Sequence, residues 1–332
     1  MNALERSLII SNEFMNTINR YLPSNWISGN GSRGDIFDAR LSAQNSAYES
    51  SEYFYEGEKK FVHWTTFQNL MSIINSRQIR FYNLQNPTDE NEFKYAADQL
   101  SIPSDQIDHS KNYLYTFSFC EIKEKENTKL WTKYGKNFSG VAIEFEIEND
   151  PKEWENFMMS RTYYELPEKL IKLIAELKLL KDNWQGIDTE IDLGRLIAFH
   201  KHPDFEEEKE IRISTYFPYR DFDAYKKNCN VEFKFDGSRP RITDYFGLYL
   251  FIDNDSTYLK SDSPEYDRRL RLQEDYYIKN PKIRITNIRI GEECGLSNSN
   301  YSTFKEKIEE VIQLKLGYKV NLPFNLYKNK NL

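Results

Sequence analysis

The chain has 332 residues, a net charge of −7 and an aromatic content of 15% within an apolar content of 39%. Aromatics at that level exclude a disordered chain, and the negative charge excludes a general polycation that coats nucleic acid. The three cysteines, Cys120, Cys229 and Cys294, are far apart and lack metal-ligand spacing, which points to a reducing compartment without a disulfide framework.

Residues 1–20 place Leu4, Leu8, Ile9, Ile10, Phe14, Met15 and Ile18 on roughly one face of a short helix. Glu5, Arg6 and Glu13 interrupt the apolar run, so no export signal is read there. No apolar stretch is long enough to span a bilayer, and a cytoplasmic protein without a membrane partner is expected. Residues 22–50 are rich in Ser, Asn, Gly and Asp and read as an irregular connector. The expected organisation is therefore an N-terminal helix and connector over 1–52, then one α+β domain over 53–332 with a helical insertion at about 150–200.

Phe61–Trp64 reads as a strand, and Thr65 or Thr66 as the cap of a helix over 67–76 with Leu70, Ile73 and Ile74 inward. Ile79–Tyr82 is a further strand, followed by the turn-rich Asn86-Pro87-Thr88-Asp89. Tyr113–Cys120 and Gly140–Ile147 alternate as strands, with a short helix over Thr128–Tyr134 between them and Gly135 as its stop. Residues 167–182 repeat Leu and Ile at helical spacing. Glu210–Thr215 and Arg284–Ile290 are predicted strands, and Thr303–Leu316 a terminal helix. Strands and helices alternate without regular βαβ spacing, so the predicted fold is α+β, a mixed or antiparallel sheet core with helical additions at the front and mid-chain.

Three constellations carry chemistry. His63 sits mid-strand ahead of two threonines; its plainest role is a histidine at the edge of the core. In Glu206-Glu207-Glu208-Lys209-Glu210-Ile211-Arg212, an extended backbone from Glu208 onward puts Glu208, Glu210 and Arg212 on one face. That is either a compact acid–base site or a solvated charge run with an ion pair. Trp131 and Tyr134, one helical step apart, are suited to stacking on a planar ring or to core packing. His200 and His202 flank Lys201, but no third ligand has fitting spacing, and no metal is expected. The glycines match neither phosphate-cradling fingerprint.

The ordered set Val62-His63-Trp64-Thr65-Thr66, Asn86-Pro87-Thr88-Asp89-Glu90, Thr116-Phe117-Ser118-Phe119, Leu130-Trp131-Thr132-Lys133-Tyr134-Gly135, Gly140-Val141-Ala142-Ile143, Glu207–Arg212 and Ile288-Arg289-Ile290-Gly291 resembles the bacterial family catalogued as domain of unknown function 2971. The likeness runs over roughly residues 55–327 and departs in the second motif, where that family more usually has Asn-Asp-Pro. The order also resembles, distantly, an ADP-ribosyltransferase layout. That resemblance implies NAD as substrate, held by His63, with Tyr115 or Ser118 lining the nicotinamide pocket. Trp64, Thr65, Trp131, Tyr134 and Arg212 complete the implied binding set. Glu210 would stabilise the oxocarbenium-like transition state and Glu208 would orient or deprotonate the acceptor, a protein or nucleic acid. A toxin or antiphage-defence effector with a regulatory partner protein fits such chemistry.

Two other readings stand beside it. Arg268-Arg269-Leu270-Arg271 with Lys279, Lys282, Arg284 and Arg289, interleaved with Tyr276 and Tyr277, reads as the basic face of a nuclease or nucleic-acid-processing protein. A non-catalytic protein-binding module would instead dock through the connector and the helix at 167–182.

Overall fold

In the computed structural model the described residues are 3–22, 27–33, 36–41, 48–49, 51–85, 90–102, 104–122, 128–184, 188–216, 229–236, 239–252, 277–323 and 326–327. They divide into two units, the first built from Met1–Tyr55, Tyr82–Thr116 and Trp154–Tyr245, the second from Glu56–Phe81, Phe117–Glu153 and Phe246–Leu332. The fold is α+β.

In the second unit, strand β3 (Lys60–Thr65) carries the near-continuous run Phe61-Val62-His63-Trp64, as a strand covered on both faces requires. It lies between β5 (Leu114–Glu121) and β6 (Val141–Ile147), and β6 in turn pairs with β12 (Ile283–Ile290). All of these ladders are antiparallel, with Lys60 opposite Glu146 and Ile290 opposite Val141. Helix α2 (Phe67–Ser76) starts where the sequence predicts, because the Thr66 hydroxyl accepts from the Asn69 amide at 3.2 Å. It buries Leu70 and Ile74, and Phe67 packs against Phe304 of the terminal helix Asn298–Leu316. That last helix buries Ile308, Ile312 and Leu316 at four-residue spacing.

In the first unit, helix α1 (Ala3–Tyr21) turns Ile10, Phe14 and Ile18 into a core shared with Leu170, Leu173 and Leu177 of the helix Glu168–Asn183. Arg20 meets Glu176 at 2.6 Å and the Trp184 indole donates to Glu13 at 2.6 Å, tying the same two helices at their surface. The stretch read from composition as an irregular connector contains two strands, β1 (Ile27–Arg33) and β2 (Ile36–Leu41), paired antiparallel, with β2 parallel to β8 (Asp188–Asp192). Backbone pairing sets these strands; the Gly, Asn and Ser of β1 carry little strand preference of their own. Strand β7 (Phe157–Arg161) pairs antiparallel with β9 (Glu210–Tyr216), every residue of which is buried. No described helix is long and apolar enough to cross a membrane.

Candidate functional site

Strand β9 begins at Glu210, and what precedes it decides the site. Residues Pro203–Glu208 form a 3₁₀ helix with His202 as its N-cap, and Lys209 then takes a left-handed conformation at φ 46° and ψ 49°. Glu208 and Glu210 therefore meet through this reversal. The extended period-two alternation expected from the sequence does not bring them together. Both carboxylates converge on Lys201, whose ammonium lies 2.7 Å from Glu208 Oε2 and 3.0 Å from Glu210 Oε2.

Arg212 closes the group. Its Nε and Nη2 donate to Glu210 Oε1 and Oε2, both at 2.9 Å, and its Nη1 donates to the Ala198 carbonyl at 2.8 Å. Ala198 belongs to a fully buried 3₁₀ turn, Gly194–Phe199. The Glu210 amide donates to the Tyr164 hydroxyl at 3.2 Å, and the Thr162 amide to the Glu210 carbonyl at 2.8 Å. All four charged residues are between 4% and 8% exposed, so two carboxylates face one ammonium and one guanidinium with little water to screen them.

A neutral polar layer adjoins this group. The Tyr53 hydroxyl is hydrogen-bonded to His200 Nε2 at 2.8 Å, deep in the unit. Burial, with the Arg212 charge second, pulls the His200 imidazole down to a pKa of about 3, while burial raises the Tyr53 and Tyr164 phenols. Lys201 is placed by backbone bonds: its amide donates to the Tyr163 carbonyl at 3.0 Å, and the Tyr163 amide to Phe199 at 2.7 Å. Lys201, Tyr53 and Tyr164 escaped the sequence reading. The one local signal for Lys201 is its position between His200 and His202. Among the described residues no group of His, Cys, Asp and Glu is arranged to hold a metal ion.

The other predicted residues belong elsewhere. His63 lies in the second unit, where its Nδ1 donates to the Ser118 carbonyl at 2.8 Å and its ring sits 4.8 Å from that of Phe117. The part of Ser118 engaged there is its backbone. Thr65 Oγ1 accepts from Asn69 Nδ2 at 2.9 Å. Tyr115, in the first unit, is fully buried opposite Asn83, with its hydroxyl at the Cys229 thiol, which burial raises to a pKa of about 12. Trp131 is fully buried and lies nearly parallel to Phe138 and Tyr327, at 5.5 and 5.0 Å, so its ring is taken up in the core. Trp64 joins that cluster. Tyr134 alone of the predicted stacking pair is exposed, at 39%. The arginines of Arg268–Arg271 and the turn 86–89 lie outside the described residues, and Tyr277 is buried with its hydroxyl donating to the Leu250 carbonyl at 2.6 Å.

The Trp131 cluster stands on an unusual turn. After the helix Thr128–Lys133, three successive non-glycine residues, Lys136, Asn137 and Phe138, have φ of 50°, 52° and 63°. A left-handed backbone costs about 1–2 kcal/mol per residue. Hydrogen bonds hold it: Gly140 to the Gly135 carbonyl at 2.9 Å, Glu293 to the Phe138 carbonyl at 3.0 Å, and Gly291 to the Gly140 carbonyl at 3.0 Å. A methyl on Gly140 would collide with the Thr65 carbonyl, and one on Gly291 with that of Phe138. The motifs around Trp64, Trp131, Gly140 and Gly291 thus serve one tightly packed knot.

The model of a family described as protein of unknown function (DUF2971) matches residues 130–213, so the resemblance to domain of unknown function 2971 holds over that stretch. The match takes in both the turn at 135–140 and the group Lys201, Glu208, Glu210 and Arg212. No curated protein and no solved structure matches the chain.

Proposed function

We propose that the Lys201–Glu208–Glu210–Arg212 group is the reaction centre of an NAD-consuming enzyme, an ADP-ribosyltransferase or NAD glycohydrolase acting as a toxin or antiphage-defence effector. The observation that carries this reading is the convergence of two carboxylates on one buried ammonium, with a guanidinium locking the second carboxylate in two hydrogen bonds. Cleavage of the bond between nicotinamide and ribose releases nicotinamide with the bonding electron pair and leaves a cationic, oxocarbenium-like sugar. A carboxylate fixed beforehand stabilises that charge without reorganising. Glu210 takes this role and Glu208 orients the acceptor and receives the proton of its attacking group. Of the expected NAD-binding set, Arg212 belongs to this group, with a protein or nucleic acid as acceptor and a partner protein as regulator.

The test is nicotinamide release from NAD by the full chain, with and without nucleic acid and cell extract, compared with Glu210→Gln. The expected result is release by the wild type and none by a folded Glu210→Gln variant. Absence of release from folded wild type under every condition overturns the proposal. A second reading, a purely structural ion cluster, is favoured by the depth of the four residues and the double engagement of Glu210. It predicts that Glu210→Gln lowers stability and that no NAD is consumed.

A further inference from the structure

We infer that the surface formed by the helix Thr128–Lys133 and the left-handed turn after it binds single-stranded nucleic acid. From Thr128 to Ile143 the sequence contains Lys129, Lys133 and Lys136 and no acidic residue, in a chain whose net charge is −7. Lys129 and Lys133 are four residues apart on one exposed helix face, and Lys136 and Asn137 follow, also exposed. Tyr134, next to Lys133 in the chain, is 39% exposed, with the Lys133 ammonium 4.9 Å from the centre of its ring.

An exposed ring beside an ammonium, with further exposed lysines within a few residues of it, is an arrangement that stacks an unpaired base while its phosphates meet cations. A duplex hides its base faces, so the ring selects a single strand. The turn keeps the display rigid. Gly135 packs against Trp131, where an added Cβ would lie 2.6 Å from the indole, and Asn137 donates to the Thr132 carbonyl at 3.1 Å. The cations and the ring are therefore presented from a fixed backbone and lose little freedom on binding. Glu293, itself exposed, is also brought to this turn, its amide donating a hydrogen bond to the Phe138 carbonyl at 3.0 Å. This surface is independent of the proposed NAD chemistry.

The experiment is fluorescence anisotropy of a labelled twelve-nucleotide single strand titrated with the full chain at several salt concentrations. Three phosphate contacts give a slope of about −2 in a plot of log affinity against log salt. Tyr134→Ala is expected to weaken binding about tenfold with the slope kept. Lys133→Ala with Lys136→Ala is expected to flatten the slope, and Lys307→Ala, an exposed lysine on the terminal helix, to leave binding unchanged. Absence of binding at low salt overturns the inference, as does equal affinity for a duplex or a Tyr134→Ala variant that binds like the wild type.

Discussion

The two regions that the motifs build are specified by opposite physics. The group around Lys201 is defined by charge: four ionic side chains in a low-dielectric interior, each tolerable only because the others are there. The knot around Trp131 is defined by shape: parallel rings, three left-handed residues, and glycines where any Cβ would meet a backbone oxygen or an indole. Deletion breaks the first and addition breaks the second. A charged centre of this kind holds dipoles ready for chemistry, whereas a knot of packed rings holds a surface in place.

The largest expected effect tests the charged side. Lys201→Met removes one cation from two buried carboxylates and is expected to cost about 3–5 kcal/mol, read as a lower urea midpoint. Lys172→Met, which breaks the exposed pair with Glu168, should leave that midpoint where it is. If the two substitutions behaved alike, burial would not distinguish this group from a surface ion pair.

Next comes the shape side. Gly140→Ala inserts a methyl against the Thr65 carbonyl, and because backbone is not free to yield, the expected cost is about 1–3 kcal/mol in the same measurement. A fully stable Gly140→Ala variant would mean that the knot is looser than its contacts imply.

The smallest effect is a pH dependence. The folded pKa of His200 is about 3 against about 6.5 when unfolded, so the unfolded chain binds an extra proton throughout the interval between them. Stability therefore falls as pH drops through that window, by about 2 kcal/mol between pH 7 and pH 5. His200→Gln, which cannot titrate, should lose that part of the acid limb in urea unfolding at the two pH values. An unchanged limb would contradict a buried, neutral His200.

What was legible in the sequence was local. A cap at Thr65 or Thr66 was readable because a hydroxyl three residues before an amide satisfies it; Thr66 takes that place and α2 follows over the expected residues. The aromatic, alternating strands β5 and β6 were readable from their period-two pattern. The nearness of Glu208, Glu210 and Arg212 was anticipated, although the left-handed Lys209 brings it about where an extended chain was expected. Lys201 was not legible, because its place depends on a backbone bond to Tyr163 far back in the chain. Core packing was one of the two readings of Trp131, but its partner was not legible, since the ring that covers it, Tyr327, arrives from the end of the sequence. Strands β1 and β2 were hidden by glycines and asparagine that pair through backbone alone.

The most direct test of the proposed reaction centre compares Glu208→Gln with Glu210→Gln for both nicotinamide release and transfer of ADP-ribose to an acceptor, each variant first shown to be folded by circular dichroism. The account predicts that Glu210→Gln loses both activities, whereas Glu208→Gln keeps nicotinamide release and loses transfer. Folded wild type that releases no nicotinamide, or variants that differ from it only in stability, would contradict the account and leave the four charged residues as a structural clamp.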